Sequence, residues 1–302
     1  MTEAASIERG SLRAWVLAAR PQTLPVSMVP VAVGTAIAAA RGGARPPVAL
    51  ACLGVSLLLQ IAANLANDVF DFEKGADTAA RLGPLRAAQA GLLTPRAMKV
   101  GLAVALALAT ATGLSLVLVG GWPVLALGAL ALLSAVAYTG GPYPLGYNGL
   151  GDVFVFGFFG VVAVVGTAAL QTGAYDPVAF AAAAPIGALS TAVLVVNNVR
   201  DHETDVAAGK RTLVVRLGRR FGVAEYAALM LVAYATPLGL VGARAASPVV
   251  LLPTLTLPFA VRLCLAVAEE RGAKLNARLR ATAKLMVAFG ALFAAGLYLG
   301  VR

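Results

Sequence analysis

Histidine, cysteine and charged residues are scarce in this chain. It contains one histidine and two cysteines in 302 residues, so neither a disulfide framework nor a cysteine- or histidine-based metal site is expected. Charged residues make up 13% of the sequence, and hydrophobic residues make up 60%. That balance excludes an ordinary soluble domain and points to a membrane protein. We assign Cys52 and Cys264 to packing within the membrane.

Long apolar runs occupy most of the chain. A membrane-spanning helix needs about 20 largely apolar residues, and an open sheet could not satisfy its backbone groups in lipid. We therefore predict an all-α, polytopic membrane protein: a single transmembrane domain over residues 1–302, with nine transmembrane helices around a central apolar cavity. The predicted spans are 15–40, 48–70, 96–119, 122–140, 150–170, 177–199, 222–243, 247–268 and 281–301.

The basic residues predict the orientation. With a cytoplasmic N-terminus, 20 of the 24 lysines and arginines fall on the cytoplasmic side of a nine-helix topology. Only Arg41, Arg45, Arg244 and Arg302 fall outside, which is the bias that the positive-inside rule describes. The net charge of +10 then reflects contact with anionic lipid, and no nucleic-acid partner is expected. We predict that the protein lies in the bacterial cytoplasmic membrane and that its cavity opens to the cytoplasm.

Half of the 14 acidic residues lie in two short segments, N64-L-A-N-D-V-F-D-F-E-K-G-A-D77 and N197-N-V-R-D-H-E-T-D-V-A-A-G-K-R211. Each segment ends an apolar run on the same predicted side. Asp68 and Asp71 are three residues apart and Asp201 and Asp205 are four apart, so each pair shares one helix face. Carboxylates beside a bilayer are costly and are usually functional.

These four aspartates suit a hard divalent cation. Mg²⁺ prefers oxygen ligands and often binds through carboxylates together with substrate phosphates. The neighbouring cations that could clamp a diphosphate are Lys74, Arg86, Lys210 and Arg211. Glu73 and Glu203 lie off the aspartate face, and we interpret them as solvated charges. Whether Asp77 contacts a metal stays open at this point.

Several motifs resemble the UbiA superfamily of intramembrane aromatic prenyltransferases. They are R20-P-Q-T-L-P25, N67-D-V-F-D-F-E-K-G-A-D77, G83-P-L-R-A-A-Q-A-G-L-L-T-P95, Y138-T-G-G-P-Y-P-L145 with G149-L-G-D152, and N197-N-V-R-D-H-E-T-D-V-A-A-G-K-R-T212. They follow the family's order nearly from end to end. The loop 138–145 reads Gly-Gly-Pro, where other branches often carry basic residues. By resemblance this loop favours 1,4-dihydroxy-2-naphthoate as the acceptor, and the resemblance as a whole implies a polyprenyl diphosphate as the donor.

The resemblance also implies roles for individual residues. Mg²⁺ would be bound by Asn67, Asp68, Asp71, Asp201 and Asp205, of which Asp71, Asp201 and Asp205 are the candidate catalytic residues. The candidate diphosphate ligands are Asn64, Lys74, Arg86, Asn197 and Lys210. Arg20 or Arg86 would hold the acceptor's carboxylate. Tyr138 and Tyr143 would shelter the allylic cation with their π-faces, although interfacial tyrosines also serve as membrane anchors.

Three alternatives remain open at this stage. Another aromatic acceptor, homogentisate or 4-hydroxybenzoate, would keep the metal site. A phytyl donor is also compatible, because tunnel length cannot be read from sequence. A cation-coupled transporter would place carboxylates among helices, but near the bilayer midplane; here they lie at helix ends facing one compartment.

Overall fold

The computed structural model describes residues 7–76 and 82–301, and these form helices with no strand among them. The helices up to residue 137 are α1 (Leu12–Ala19), α2 (Leu24–Ala40), α3 (Pro46–Glu73), α4 (Pro95–Gly120) and α5 (Trp122–Ala137). The later ones are α6 (Gly151–Thr172), α7 (Pro177–Ala207), α8 (Leu213–Leu217), α9 (Arg219–Gly242), α10 (Pro248–Glu269) and α11 (Leu275–Gly300). The prediction of an all-α membrane fold is confirmed.

Eight helical segments within the described ranges are long and apolar enough to cross a membrane. Six of them coincide with α3, α4, α6, α7, α9 and α10. The span Gly272–Gly300 contains α11 and the short 3₁₀ turn before it, and Leu12–Ala40 comprises α1 and α2. The predicted span 122–140 corresponds to α5, an apolar helix of 16 residues, which is shorter than the other eight. The count of nine crossings therefore stays a prediction.

The first span bends at Arg20. This residue has a left-handed backbone with φ of 52° and ends α1, and a short 3₁₀ turn, Pro21–Thr23, leads into α2. Because Pro21 follows it, Arg20 is pushed out of the helical region of backbone space, so α1 cannot run straight on into α2. The bend brings residues 19–23 against the end of α3 that carries the first aspartate cluster.

The most buried helix of the bundle is α7. It packs closely on α6, where a Cβ atom added to Gly160 would lie 2.8 Å from the carbonyl oxygen of Ala183 and 2.9 Å from Cα of Gly187. Small residues at such crossings let helix backbones approach inside a membrane. With its 31 residues, α7 is about 46 Å long. It therefore exceeds the roughly 30 Å hydrocarbon core of a bilayer.

Two helices extend beyond their predicted ends, and this places the acidic segments on helices. The third helix continues past residue 70 to Glu73, and α7 continues past residue 199 to Ala207. Asp201 and Asp205 are thus helical residues on one face, as their spacing requires. Glycines with positive φ, Gly75 and Gly209, follow the two helix ends.

A cluster of buried apolar side chains fixes residues 82–94, which precede α4. Ala87, Ala88, Leu92 and Leu93 are buried against side chains of α1, α3 and α4. Residues 82–94 therefore pack across the end of the bundle, and they carry Arg86 into the site.

Candidate active site

Four aspartates of the two acidic segments are buried at the same end of the bundle, which we call the aspartate end. Asp68, Asp71, Asp201 and Asp205 are between 1% and 8% exposed. Glu203 is exposed, and Glu73 pairs with Lys99 at 2.7 Å on the surface. The four aspartates are thus buried and the two glutamates are exposed, as the helix-face spacing predicts.

Asp71 is the most heavily contacted of the four. Its Oδ2 lies 2.8 Å from Nη1 of Arg86 and 3.5 Å from Nζ of Lys210. Its Oδ1 accepts a hydrogen bond of 2.5 Å from the hydroxyl of Tyr147. Arg86 also donates to the backbone oxygen of Asn67 at 2.5 Å.

Asp68 faces the packed segment between α3 and α4. Its Oδ2 accepts the backbone N–H of Ala87 at 2.9 Å, and its Oδ1 accepts that of Ala88 at 3.2 Å. Asp68 therefore anchors the segment that carries Arg86, whatever its role toward a metal.

The second cluster is organised by a buried arginine that precedes it. Arg200 donates from Nε to Oδ1 of Asp201 at 2.7 Å and from Nη2 to Oδ2 at 2.5 Å. It also donates to Oδ1 of Asn197 at 2.7 Å and to Oδ1 of Asn276 at 2.8 Å. Asn276, in the first turn of α11, donates in turn to the backbone oxygen of Leu82 at 2.7 Å. The second cluster is thus connected to the segment that packs over the first.

Lys210 joins the two clusters. Its Nζ lies 3.5 Å from Oδ2 of Asp71 and 3.7 Å from Oδ1 of Asp205. Residues 134 positions apart in the sequence therefore bound one small space. The ammonium of Lys210 therefore contacts a carboxylate at the end of α3 and another at the end of α7.

Two predicted diphosphate ligands, Lys74 and Asn64, and the predicted metal ligand Asn67 lie at the same end. Lys74 donates to the backbone oxygen of Thr139 at 2.6 Å, and burial together with the nearby Lys210 charge lowers the pKa of Lys74, partly offset by Asp71. Asn67 accepts a hydrogen bond from the Thr139 hydroxyl through its side-chain oxygen. Asn64 donates to the backbone oxygen of Ala19 and to Oγ1 of Thr23, both at 2.9 Å.

The candidate acceptor residues occupy different positions. Arg20 lies at the bend between α1 and α2, which Asn64 holds. Tyr138 follows α5 and lines the large cavity. Tyr143 is 59% exposed on the following loop. Asp77, for which a metal contact was left open, lies outside the described residues, as do Arg81 and Arg302.

Three residues of this end were missed by sequence reasoning. Tyr147 contacts Asp71, Thr139 contacts Asn67 and Lys74, and Asn276 contacts Arg200. No motif spacing connects them with the aspartates. Thr139 lies in the Gly- and Pro-rich loop 138–145 and Tyr147 follows it. In this loop only Tyr138 and Tyr143 were predicted to have a role.

A large apolar cavity begins beside this site. It has a volume of about 990 Å³ and is lined mainly by α3, α4, α5 and α6. Gln60 and Tyr138 lie at the aspartate end of the cavity, and Arg45 and Tyr175 lie at the far end. Gln60 donates to Oδ1 of Asn64 at 3.3 Å, so the cavity wall and the polar site are directly connected.

Comparison with known proteins identifies the family. The sequence profile described as the UbiA prenyltransferase family matches residues 27–287. The chain belongs to the UbiA prenyltransferase family. It is therefore an integral membrane prenyltransferase.

Individual members of this family are similar over most of the chain. The 1,4-dihydroxy-2-naphthoate octaprenyltransferase of Haemophilus influenzae is 36% identical over 298 residues, covering 96% of this chain and 97% of that protein. The enzyme of the same name from Escherichia coli K12 is 43% identical over 212 residues, covering 68% and 69%.

Solved structures of UbiA homologues share the fold. The apo structure of the homologue from Aeropyrum pernix K1 has a TM-score of 0.68 at 17% identity and covers 93% of this chain and 98% of that one. The homologue from Archaeoglobus fulgidus bound to DMAPP and Mg²⁺ has a TM-score of 0.63 at 18% identity and covers 92% and 98%.

The residues present suit a magnesium ion in chemical terms. Within residues 7–76 and 82–301, no three acidic, histidine or cysteine side chains form a complete ligand group by themselves. Mg²⁺ commonly takes only one or two carboxylates and completes its coordination with substrate phosphates and water. Asp71 and Asp205, which face a common cation, provide such a pair.

Proposed function

We propose that this protein transfers a polyprenyl group from an allylic diphosphate to 1,4-dihydroxy-2-naphthoate, with loss of carbon dioxide and diphosphate, giving demethylmenaquinol. The observation that carries the proposal is the convergence of both aspartate clusters on Lys210 beside a long apolar cavity. The names of the similar enzymes support the naphthoate acceptor.

The diphosphate of the donor would lie at the aspartate end. Asp71 and Asp205, with Asn67, Asp68 and Asp201 nearby, are the residues that would hold Mg²⁺. Bound Mg²⁺ supplies positive charge that stabilises the departing pyrophosphate. Lys74, Arg86 and Lys210 add fixed positive charge there, with Asn64 and Asn197 as polar neighbours.

The prenyl chain would occupy the apolar cavity. The volume of about 990 Å³ lies at the upper end of the range for ligand pockets in proteins. Its apolar walls exclude water from the allylic carbon while the carbon–oxygen bond breaks. Tyr138 lines the cavity beside the polar site and would face the developing cation.

The allylic carbon–oxygen bond breaks and pyrophosphate leaves. The carboxylate-bearing carbon of the naphthoate forms the new carbon–carbon bond while its neighbouring hydroxyl loses a proton to an aspartate of the second cluster. The bond to the carboxylate then breaks, carbon dioxide leaves, and the proton returns to the oxygen as the ring regains aromaticity. Arg20 or Arg86 would hold the acceptor's carboxylate before this step.

The proposal is tested by turnover of the purified protein with geranylgeranyl diphosphate. Dihydroxynaphthoate, 4-hydroxybenzoate and homogentisate compete in one reaction, with and without Mg²⁺, and mass spectrometry identifies the product. We expect a Mg²⁺-dependent naphthoquinol product that has lost carbon dioxide. A prenylated product of another acceptor, or no pyrophosphate release with any donor, would contradict the assignment.

We also propose that the aspartate end faces the cytoplasm of a bacterial cell. The distribution of lysine and arginine supports this orientation. Glu203 lies at the aspartate end and Arg244 lies between α9 and α10, and both side chains are exposed. In intact cells, a membrane-impermeant maleimide should label an Arg244→Cys variant and leave a Glu203→Cys variant unlabelled. The reverse pattern would overturn the orientation.

A further inference from the structure

Tyr147 lies at the centre of the polar site, although no motif points to it. It belongs to the short 3₁₀ turn Gly146–Asn148, between α5 and α6. Its hydroxyl donates to Oδ1 of Asp71 at 2.5 Å. The other oxygen of Asp71 faces Arg86 and Lys210. Tyr147 thus fixes one side of this carboxylate while the cations contact the other.

The ring of Tyr147 contacts two ammonium groups. Nζ of Lys74 lies 4.9 Å from the ring centroid, and Nζ of Lys210 lies 4.8 Å from it. Both distances are within the range in which the ring quadrupole attracts a cation. Two like charges that would otherwise repel are therefore held beside one neutral group. Lys74 follows α3 and Lys210 follows α7, so the ring connects the two clusters.

The backbone of Tyr147 makes the same connection. Its carbonyl oxygen accepts the N–H of Arg211 at 2.7 Å, next to Lys210. The carbonyl oxygen of Asn148 accepts Nη2 of Arg216 at 3.0 Å. The turn 146–148 and the segment after α7 consequently form one unit, and Lys210 is oriented by the backbone bond of its neighbour Arg211 and by its own side-chain contacts.

We propose that Tyr147 is the positioning residue of the diphosphate site. Its ring holds the ammoniums of Lys74 and Lys210 where phosphate oxygens bind, and its hydroxyl orients Asp71. This inference rests on the proposed function, because it assigns Lys74 and Lys210 to the donor's diphosphate.

Two substitutions separate the contributions of the ring and the hydroxyl. Tyr147→Phe keeps the ring over both lysines and removes the hydrogen bond to Asp71. We expect it to bind geranylgeranyl S-thiolodiphosphate, a poorly ionising donor analogue, within about twofold of the wild type. Its kcat should fall about tenfold, in line with the loss of one hydrogen bond to a charged group. The concentration of Mg²⁺ at half-maximal activity should rise.

Tyr147→Leu removes the ring as well. The analogue's Kd, measured by titration calorimetry without acceptor, should rise by about tenfold or more, because two cation–π contacts are lost. Tyr298→Leu is the matched control. Tyr298 is 56% exposed near the opposite end of α11, and its variant should bind as the wild type does.

The outcomes distinguish this inference from the proposed function. Wild-type protein that fails to bind the analogue would overturn the proposed function, and this inference with it. Wild-type binding that is unchanged in Tyr147→Leu would overturn the inference alone. If the leucine variant does not fold, Tyr147→Phe still decides: an unchanged kcat together with an unchanged Mg²⁺ requirement would overturn the role of the hydroxyl.

Discussion

The guanidinium of Arg200 bonds to both carboxylate oxygens of its neighbour in the sequence, Asp201. The distances are 2.7 and 2.5 Å, and the arginine side chain has no exposed surface. Consecutive helical residues normally point about 100° apart. Here the long arginine side chain turns back, and its remaining donors contact Asn197 and Asn276. Arg200 therefore fixes Asp201 and ties α7 to α11.

We expect Arg200→Lys to fold and to lose activity. A lysine keeps the charge but cannot form two parallel bonds to Asp201 and also contact both asparagines. The kcat should fall about tenfold, and Arg200→Met should lower stability by about 3 kcal/mol, because Asp201 is left buried without its partner. Steady-state kinetics and thermal unfolding in detergent measure the two effects. A lysine variant with wild-type kcat would contradict a positioning role for Arg200.

Asp68→Asn should loosen the segment between α3 and α4. Asp68 accepts two backbone N–H groups, and an asparagine would direct an N–H₂ at one of them. The lost charge-assisted bond corresponds to about 2 kcal/mol. Thermal unfolding and limited proteolysis between residues 82 and 94 should both show the change. Unaltered protease resistance would mean that Asp68 does not anchor this segment.

Gly128→Trp should restrict the enzyme to donors with shorter prenyl chains. Gly128 lines the cavity, and nothing lies within 4 Å of a Cβ atom added there, so a side chain can start from this position without a clash. Ten residues separate it from Tyr138, or about 15 Å along α5. Dimethylallyl diphosphate should still react, while the KM for geranylgeranyl diphosphate should rise at least tenfold.

The control for this substitution is Gly239→Trp. Gly239 is exposed on α9, outside the cavity lining, and a Cβ atom there also meets open space. This variant should keep the wild-type preference for donors. Equal effects of both tryptophans would show that the cavity does not hold the prenyl chain.

The ion pair at the far end of the bundle should affect stability alone. Nε of Arg41 lies 2.7 Å from Oδ2 of Asp176, which also caps α7 through the N–H of Val178. Burial acts to raise the pKa of Asp176, but these hydrogen bonds outweigh it and lower the pKa below its usual value. The pair's contribution is therefore complete above the unfolded-state pKa and is lost as pH falls through the lower folded-state pKa.

Asp176→Asn should lower the unfolding free energy by at most about 1 kcal/mol near pH 7, because Arg41 is partly exposed. The difference from the wild type should vanish in acid, below the folded-state pKa. Thermal unfolding at several pH values checks this sign, and kcat should be unaffected. A difference that grows on acidification would contradict the assignment.

The sequence predicted the helices and the aspartate faces because both depend on local periodicity. Asp68, Asp71, Asp201 and Asp205 are buried on two helix faces, while Glu73 and Glu203 point elsewhere. The helix boundaries were less accurate. The apolar run predicted a membrane span that ends at residue 199, but buried pairing of Arg200 and Asp201 allows α7 to continue to Ala207.

Arg86 and Lys210 were predicted near the aspartates, but two further contacts could not be predicted, since they come from segments far away in the sequence. Tyr147 reaches Asp71 from a 3₁₀ turn, and Asn276 reaches Arg200 from the last helix. Neither residue stands in a periodic pattern with the site. Their roles follow from tertiary packing, in which the segment 82–94 and the loop after α5 converge over the ends of α3 and α7.

The proposed function requires the two aspartate clusters to form one magnesium and diphosphate site. Its most direct test is Mg²⁺-dependent pyrophosphate release by the wild type, Asp71→Asn and Asp201→Asn, with donor and dihydroxynaphthoate present. Arg244→Ala removes a charge from an exposed position away from the site and serves as the control. We expect both aspartate variants to insert and fold but to lose turnover by at least a hundredfold, while the control stays near wild type. Full activity in both aspartate variants would contradict the two-cluster site.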